Sequence, residues 1–402
     1  MQEGSFLPSF PLAGAPLVLF GFAVLCALAV GHAVVRYVRL PRITGFVLAG
    51  LLLGPSALNV LDAGLLENLR IFVDVSLGLI LFELGRRLDI AWFKRDRWLA
   101  ASSVAESLLA FLLVLAVLRS LGIPAVYAAT AAAIAMVTSP AVIMMVVSDE
   151  RAQGPFTERL LTLTAANNVF AFLFVTVLIG FIHAEQARGW VNAVAHPPYL
   201  LFGSLALGYA AFRALHMLAR WLPRQESVQF ALVVGLAVVT VGAANGLKLS
   251  VLIALLALGV FVRNLDRERD ILAVEFGPGA QIFFIVLFVL SGAGIEVKEL
   301  AAGGLLGLAV LAARFAGKLV GIAAFGPLSG VGWRNSALLA LAMSPISAVA
   351  LVMMHGAADF YPEFGAALRS IVAAMVITLE IVGPLATQFA LKRAGETLSL
   401  PG

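Results

Sequence analysis

Long apolar stretches separated by short polar loops run through nearly the whole sequence. A membrane-spanning helix needs about 20 mostly apolar residues, and by this criterion the chain contains thirteen predicted spans. The second and ninth spans are short, as expected of tilted or bent helices. The predicted spans are residues 17–37, 43–59, 69–88, 98–120, 124–147, 157–182, 199–219, 227–245, 249–263, 278–294, 303–325, 334–354 and 367–391.

Two of these spans are interrupted by a Ser-Pro pair. Pro140 follows Thr138 and Ser139 in the fifth span, and Pro345 follows Ser344 in the twelfth. Proline lacks the N–H that a helix interior needs, so each helix should break there. Unwound backbone at membrane depth must be satisfied by protein or water, and paired breaks in corresponding halves mark the substrate site of transporters. We therefore expect the two breaks to lie close together near the middle of the membrane.

Composition narrows the class of protein. Hydrophobic residues make up 61% of the chain and charged residues 12%, against roughly 25% charged in soluble domains. The single cysteine, Cys26, excludes an intramolecular disulfide and a cysteine-rich metal site. Neither a nucleophile triad nor a Walker motif is present, and the histidines lack metal-site spacing. The sequence thus predicts a membrane protein that is not an enzyme and has no cofactor and no nucleic-acid partner.

The basic residues predict the orientation of the spans. With the N-terminus outside, 19 of the 27 Lys and Arg residues lie in or beside the cytoplasmic loops and tail, and six lie on the other side. The remaining two, Arg314 and Lys318, fall within the eleventh span. Cytoplasmic loops carry an excess of Lys and Arg. We therefore predict an outside N-terminus and a cytoplasmic C-terminus. From the spans themselves, we expect residues 1–402 to form one membrane domain with no soluble regulatory domain.

The two halves of the chain resemble each other at an offset of seven spans. The second span matches the ninth, the third matches the tenth, and the two Ser-Pro spans are the fifth and the twelfth. Because seven is odd, the second half must be upside down in the membrane. The sequence predicts inverted repeats at about 17–182 and 227–391, joined by a linker helix at 199–219, which is a transporter architecture.

Several motifs resemble those of monovalent cation:proton antiporters, in the branch that contains the glutathione-gated potassium efflux systems. Their order and spacing, more than any one of them, carry the resemblance, which extends from the second span to the last. It implies an all-α fold in which two broken helices cross near the ion site, and a homodimer with a scaffold and a mobile core in a bacterial inner membrane. The motifs are Leu40-Pro41 through Gly45 with Gly50 and Gly54-Pro55, Leu79 through Gly85, Thr138-Ser139-Pro140, Arg314 with Gly317-Lys318, and Glu380 through Pro384 ending at Arg393 through Glu396.

The sequence departs from that family at its ion site. Relatives carry an Asn-Asp or Asp-Asp pair in the sixth span, where this chain has Asn167 and Asn168. Many exchangers also have an aspartate at the position of Ser139. Asparagine can coordinate a cation through its carbonyl oxygen, but it cannot titrate. The loss of both carboxylates therefore puts cation exchange in question.

Among the carboxylates within predicted spans, where ionisable residues are candidates for function, three stand out. Asp74 is not one of them, because it lies only a few residues inside the third span and should reach the external interface. Glu83 aligns with a glutamate that contributes to the ion site in some relatives, and it could equally pair with Arg86 or Arg87. For Glu106 the sequence favours an ion pair between helices over a role in transport. Glu380 should be structural and charge-balancing, with Arg314 as its candidate partner.

Arg314 and Lys318 lie four residues apart and share one helix face. A charge at the membrane centre costs at least about 2.5–3.5 kcal/mol on insertion scales, so both should face protein or water. In the resembling family, the basic residue of this helix balances a carboxylate or the half-helix dipoles. For Arg314 the sequence favours a structural role opposite Glu380 and the helix C-terminal ends.

Two functions follow, together with a third option, an inactive or regulatory relative. The first is a Na+ or K+:proton antiporter that works by alternating access, with transported cation and proton as its partners. The second is an anion or organic-acid transporter, because removing two acids while keeping Arg314 and Lys318 makes the site more positive. In the first, the predicted ion ligands are Thr138, Ser139, Asn167, Asn168 and Ser344, with Glu83 as the nearest titratable group.

Overall fold

The computed structural model describes residues 15–186, 190–266, 271, 278–295, 297–346, 350 and 362–397. Over these residues the regular structure is helical, and short turns connect the helices. In chain order the helices are α1 (Ala15–Ala33), α2 (Arg42–Leu53), α3 (Ala63–Asn68), α4 (Arg70–Arg87), α5 (Ile90–Arg95), α6 (Arg97–Ser120), α7 (Ala125–Ala135), α8 (Pro140–Asp149), α9 (Pro155–Gln186), α10 (Trp190–Trp221), α11 (Glu226–Gly246), α12 (Val251–Leu265), α13 (Pro278–Ala293), α14 (Val297–Phe325), α15 (Trp333–Ala342) and α16 (Pro362–Ala394).

The helices have the length and composition of membrane spans. Within the described ranges, seven helical segments are long and apolar enough to cross a bilayer, and three shorter apolar helices accompany them. The short ones lie at Arg42–Leu53, Val251–Leu265 and Gln281–Ala293, so the second and ninth predicted spans are indeed short. The predicted all-α membrane fold is confirmed, while the number of thirteen spans stays a prediction.

Both Ser-Pro spans are broken, as the prolines predict. The fifth span consists of two half-helices, α7 and α8, separated by residues 136–139. The twelfth begins as α15, which ends at Ala342, and its backbone is irregular from Met343 to Ile346. The rest of that predicted span lies mostly outside the described residues.

Some helix boundaries differ from the sequence prediction. The second span was expected to reach residue 59, but α2 ends at Leu53, where Gly54-Pro55 turns the chain. The short surface helices α3 and α5 were not predicted. Each follows an aspartate whose carboxylate accepts from the backbone: Asp62 accepts one N–H of α3, and Asp89 accepts two of α5. Such caps stabilise helices too short for a periodic pattern to reveal.

Two pairs of glycines bring four helices into close contact. Helix α2 packs against α13, and α4 packs against α12. In each pair, each glycine faces a backbone carbonyl of the other helix, that of the residue three positions before the other glycine. A Cβ atom on either glycine would overlap the facing carbonyl oxygen. Under the seven-span offset the two pairs occupy corresponding positions, while the inverted repeat itself stays a prediction. They are Gly50 with Gly292 and Gly85 with Gly259.

Candidate functional site

The two helix breaks contact each other directly. The backbone N–H of Ser139 donates to the carbonyl oxygen of Pro345 at 2.9 Å. The Thr138 hydroxyl donates to the carbonyl of Met343 at 3.3 Å, and both breaks are buried. The interrupted helices therefore meet at a crossing, which we define as residues 136–139 and 343–346 with the side chains that contact them.

Local sequence explains the geometry of the first break. Pro140 occupies the first turn of α8, where a missing N–H does no harm. The Ser139 hydroxyl oxygen caps that helix by accepting from the N–H of Val142 at 3.3 Å. The positive end of the α8 backbone dipole consequently points into the crossing.

Arg314 satisfies the carbonyl ends of both broken helices. Its Nε donates to Ala135 at 2.6 Å, one Nη donates to Ser344 at 2.7 Å and the other donates to Val137 at 2.8 Å. A cation at two helix C-termini is favourable because those ends carry partial negative charge. The expected role at the helix ends is thus present, but the expected pairing with Glu380 is wrong, since the guanidinium donors go to backbone carbonyls.

Lys318 forms the ion pair at the crossing. Its ammonium Nζ lies 2.7 Å from Glu106 Oε2 and 2.8 Å from the hydroxyl oxygen of Thr138. The Lys318 and Glu106 side chains are both completely buried. The pair joins α14 to α6 where Gly321 faces the backbone of Glu106 so closely that a Cβ atom would overlap it. The predicted interhelical ion pair of Glu106 is therefore present, with Lys318 as its partner.

Asn167 ties the Glu106 carboxylate to the first break. Its amide nitrogen donates to Glu106 Oε1 and to the Ser107 hydroxyl, at 2.9 Å each. Its amide oxygen accepts the N–H of Thr138 at 2.8 Å. Every oxygen of Glu106 thus has a partner, which the burial of a charged carboxylate requires.

Asn168 also contacts the first break. Its amide nitrogen donates to the carbonyls of Thr138 and Thr164, at 2.9 Å each. Its Oδ1 is buried and accepts no hydrogen bond from the described residues. A buried acceptor of this kind is costly unless a donor or a cation joins it. Asn168 thus places a neutral amide oxygen beside the first break.

The remaining predicted site residues lie in different surroundings. Glu83 forms ion pairs with Arg86 at 3.1 Å and with Arg87 at 3.3 Å, the arrangement expected of an interfacial partner. Ser344 is buried and contributes its backbone carbonyl to Arg314. Glu380 is hydrogen-bonded to Ser291 of α13, away from the pair formed by Glu106 and Lys318.

Glu106 was not among the ion-site residues predicted from the sequence. One signal could have pointed to it. The fourth and eleventh spans correspond under the seven-span offset. The fourth carries the buried negative charge of Glu106, and the eleventh carries the buried positive charge of Lys318. Chemically, the crossing combines a carboxylate, an ammonium, a hydroxyl and a free amide oxygen. Among the described residues no cluster of His, Cys, Asp and Glu suits a resident metal.

Comparisons with known proteins agree with the fold. Two solved structures of the sodium proton antiporter MjNhaP1 from Methanocaldococcus jannaschii superpose with TM-scores of 0.69 and 0.72. Each is 17% identical in sequence, and the match covers 94% of this chain and 95% or 96% of theirs. No curated protein matches the sequence. The family described as "Sodium/hydrogen exchanger, transmembrane" matches residues 21–393. The chain therefore belongs to the transmembrane sodium/hydrogen exchanger family.

Proposed function

We propose that this chain is a secondary active transporter that exchanges Na+ or K+ for protons by alternating access. In this proposal the ion pair of Glu106 and Lys318 binds the cation and the proton. In relatives this role belongs to aspartates at the positions of Ser139 and Asn168. The observation that carries this proposal is a titratable carboxylate and ammonium buried together at the crossing of two broken helices. Family membership supports cation:proton exchange as the general activity.

The ammonium of Lys318 occupies the place of a bound cation. It is held by Glu106 Oε2 and by the Thr138 hydroxyl oxygen, and oxygen atoms of these types also coordinate Na+ and K+. When Lys318 withdraws, both oxygens become available to a cation. The unpartnered Oδ1 of Asn168 adds a third ligand, and water supplies the rest of the coordination shell.

Exchange follows from the charge balance of the site. Glu106 carries one negative charge, which either protonated Lys318 or a bound cation neutralises. A cation that displaces the ammonium leaves Lys318 without a counter-charge in an apolar setting, which favours its neutral form. Lys318 then releases its proton to water, so one cation enters the site as one proton leaves.

Alternating access requires that the crossing be reached from each side in turn. The two breaks are joined to each other by the hydrogen bond from Ser139 to Pro345 and through Arg314, which donates to carbonyls of both. The ion site therefore moves together with the broken helices that form it. We assign the transporter to a bacterial inner membrane, as a homodimer with its N-terminus outside. The basic residues of the loops support the orientation.

An anion or organic-acid substrate is the rival function. Its support is the excess of positive charge, since Arg314 and Lys318 face a single carboxylate at the crossing. The donors of Arg314, however, go to backbone carbonyls, and Lys318 is neutralised by Glu106. The fixed charges at the crossing are thus already committed to protein groups, which favours the cation function.

Proteoliposomes with an internal pH dye test the proposal. Purified protein is reconstituted, and salts of Na+, K+ and choline with one impermeant anion are added outside. Inward cation movement in exchange for protons should raise the internal pH with Na+ or K+ but not with choline. Protein-free liposomes are the control. In a second series the anion is varied while choline is the only cation. A pH change that follows the anion in that series would support the rival function, and no response to any salt would support an inactive relative.

A further inference from the structure

Glu380 is a deeply buried carboxyl group that has no part in the exchange proposed for Glu106 and Lys318. It lies inside the apolar span of α16, and 1% of the residue is exposed. Its Oε1 is hydrogen-bonded to the Ser291 hydroxyl on α13, a residue that is 7% exposed. Its Oε2 is buried and has no hydrogen-bond partner among the described residues.

The helices around Glu380 bring it no described counter-charge. Helix α13 carries no charged residue from Gln281 to Ala293. On α14, Arg314 is bound to carbonyls and Lys318 to Glu106. Among the residues whose side chains the structure describes, the other charged groups on α16 and on the helices that pack against it lie near helix ends. These groups are Arg42 on α2, Asp149 on α8, Glu158 and Arg159 on α9, Lys298 on α14, Arg334 on α15, and Lys392 and Arg393 on α16.

An isolated carboxylate in such surroundings costs far more than one hydrogen bond returns, so the group takes up a proton instead. A protonated Glu380 also suits the geometry, because a carboxylic acid can both donate to and accept from a hydroxyl. We propose that Glu380 is a second proton-binding site, separate from the crossing, and that its protonated form ties α13 to α16 through Ser291.

The tie connects two groups of helices. Helix α13 packs along α2 and α4, whereas α16 packs along α14 and α15. If these groups shift during alternating access, which rests on the function proposed above, the contact between Ser291 and Glu380 must open. Water then reaches the acid, which ionises and releases its proton to that water. Rebinding a proton allows the contact to form again, so pH sets how readily the helix groups separate.

Infrared difference spectroscopy during pH titration tests proton binding without any transport measurement. The reconstituted parent should show the C=O stretch of a protonated buried carboxyl that persists well into the neutral range. The Glu380→Gln variant keeps the side-chain shape and an acceptor for Ser291, and it should lose this band. Ser291→Ala should shift the band by removing its hydrogen bond. Glu67→Gln is the matched control, since the Glu67 side chain is 74% exposed, and it should leave the band unchanged.

Transport measured in the same liposomes tests the tie. At acidic pH, Glu380→Gln should have the transport rate of the parent. As pH rises, its rate should stay constant, whereas the parent's rate changes. At acidic pH, Ser291→Ala should already have the transport rate that the parent shows at alkaline pH. A band that survives Glu380→Gln, or a parent without such a band, would overturn the proton site. An unchanged pH profile in both variants would overturn the tie. If no substrate is transported, the spectra still decide the proton site, so the two proposals fail separately.

Discussion

Glu106 shows how a carboxylate can serve the same crossing from a different helix. The sixth span, where the family keeps an acid, presents Asn167 and Asn168 on α9, and both amides hold the first break through Thr138. The negative charge comes instead from α6 and contacts Asn167. One asparagine thus positions the acid, and Oδ1 of the other accepts no hydrogen bond from the described residues. The ion site that we propose therefore does not need an aspartate in the sixth span.

The pairing of Glu106 and Lys318 predicts a specific pattern of stability. Removing one partner of a buried ion pair typically costs about 3–5 kcal/mol, because the other charge is left uncompensated. Glu106→Gln and Lys318→Gln should each lower the melting temperature in detergent at neutral pH. The double variant should be more stable than the sum of the single losses implies, since it leaves no buried charge. Strictly additive losses would show that the two groups are not coupled.

Restoring the family's aspartate should change the ion dependence. The amide nitrogen of Asn168 donates to the carbonyls of Thr138 and Thr164, and a carboxylate cannot. Asn168→Asp therefore places negative charge beside two carbonyl oxygens, which a cation or a proton must neutralise. Proteoliposomes should show stronger or newly pH-dependent Na+ or K+ exchange. A parent that moves an anion, and that Asn168→Asp inactivates, would contradict the cation function.

At the scale of elements, the prolines predicted the broken helices correctly. Pro140 and Pro345 each lie at an interruption, because the missing N–H and the ring act locally on the backbone. Helix ends set by caps were harder to predict. The short helices α3 and α5 depend on one aspartate each, and α2 is shortened where the chain turns at Gly54-Pro55.

Asp96 holds three elements together at one membrane surface. Its carboxylate caps α6 by accepting the N–H of Leu99 at 3.0 Å, and it binds Arg159 of α9 and the hydroxyl of Ser329 beyond α14. Burial acts to raise the pKa of Asp96, but the hydrogen bonds from Ser329 and Leu99 and the charge of Arg159 outweigh it and hold the pKa below its ordinary 3.8.

A lowered pKa means that the folded state favours ionised Asp96, so its stabilisation is present above the ordinary value and is lost as pH falls through the lower folded value. Asp96→Ala should cost about 1–2 kcal/mol at neutral pH, the upper part of the range for a lost helix cap. The difference in melting temperature between parent and variant should shrink below about pH 4. A gap that stays constant across this range would show that ionised Asp96 contributes nothing.

For the whole molecule, the long apolar stretches and the Ser-Pro pairs predicted the fold class because both act locally. The pairing of Glu106 with Lys318 could not be predicted in the same way. The two residues are 212 positions apart, and only the packing of α6 against α14 brings them together. The predicted pairing of Arg314 with Glu380 was wrong for the same reason. A single sequence gives the depth of a charge in the membrane, but it does not identify the group beside that charge.

The orientation of the chain remains a prediction that labelling can check. In a Cys26-free variant, a cysteine at position 188 should react with an impermeant reagent added outside, and one at position 267 should react only from inside. The reason is the excess of Lys and Arg on the cytoplasmic side. Equal labelling of both positions from one side of the membrane would contradict an outside N-terminus and the odd offset between the repeats.

Cation-driven proton movement in Glu106→Gln proteoliposomes tests the exchange pair most directly. The rise of internal pH on adding Na+ or K+ should be lost in Glu106→Gln, partly kept in Glu106→Asp, and unchanged in the exposed control Glu67→Gln. Melting curves confirm that each variant is folded before reconstitution. An unchanged response in folded Glu106→Gln, with the response lost in Glu83→Gln instead, would show that coupling runs through Glu83 and would contradict the assignment of proton exchange to Glu106 and Lys318.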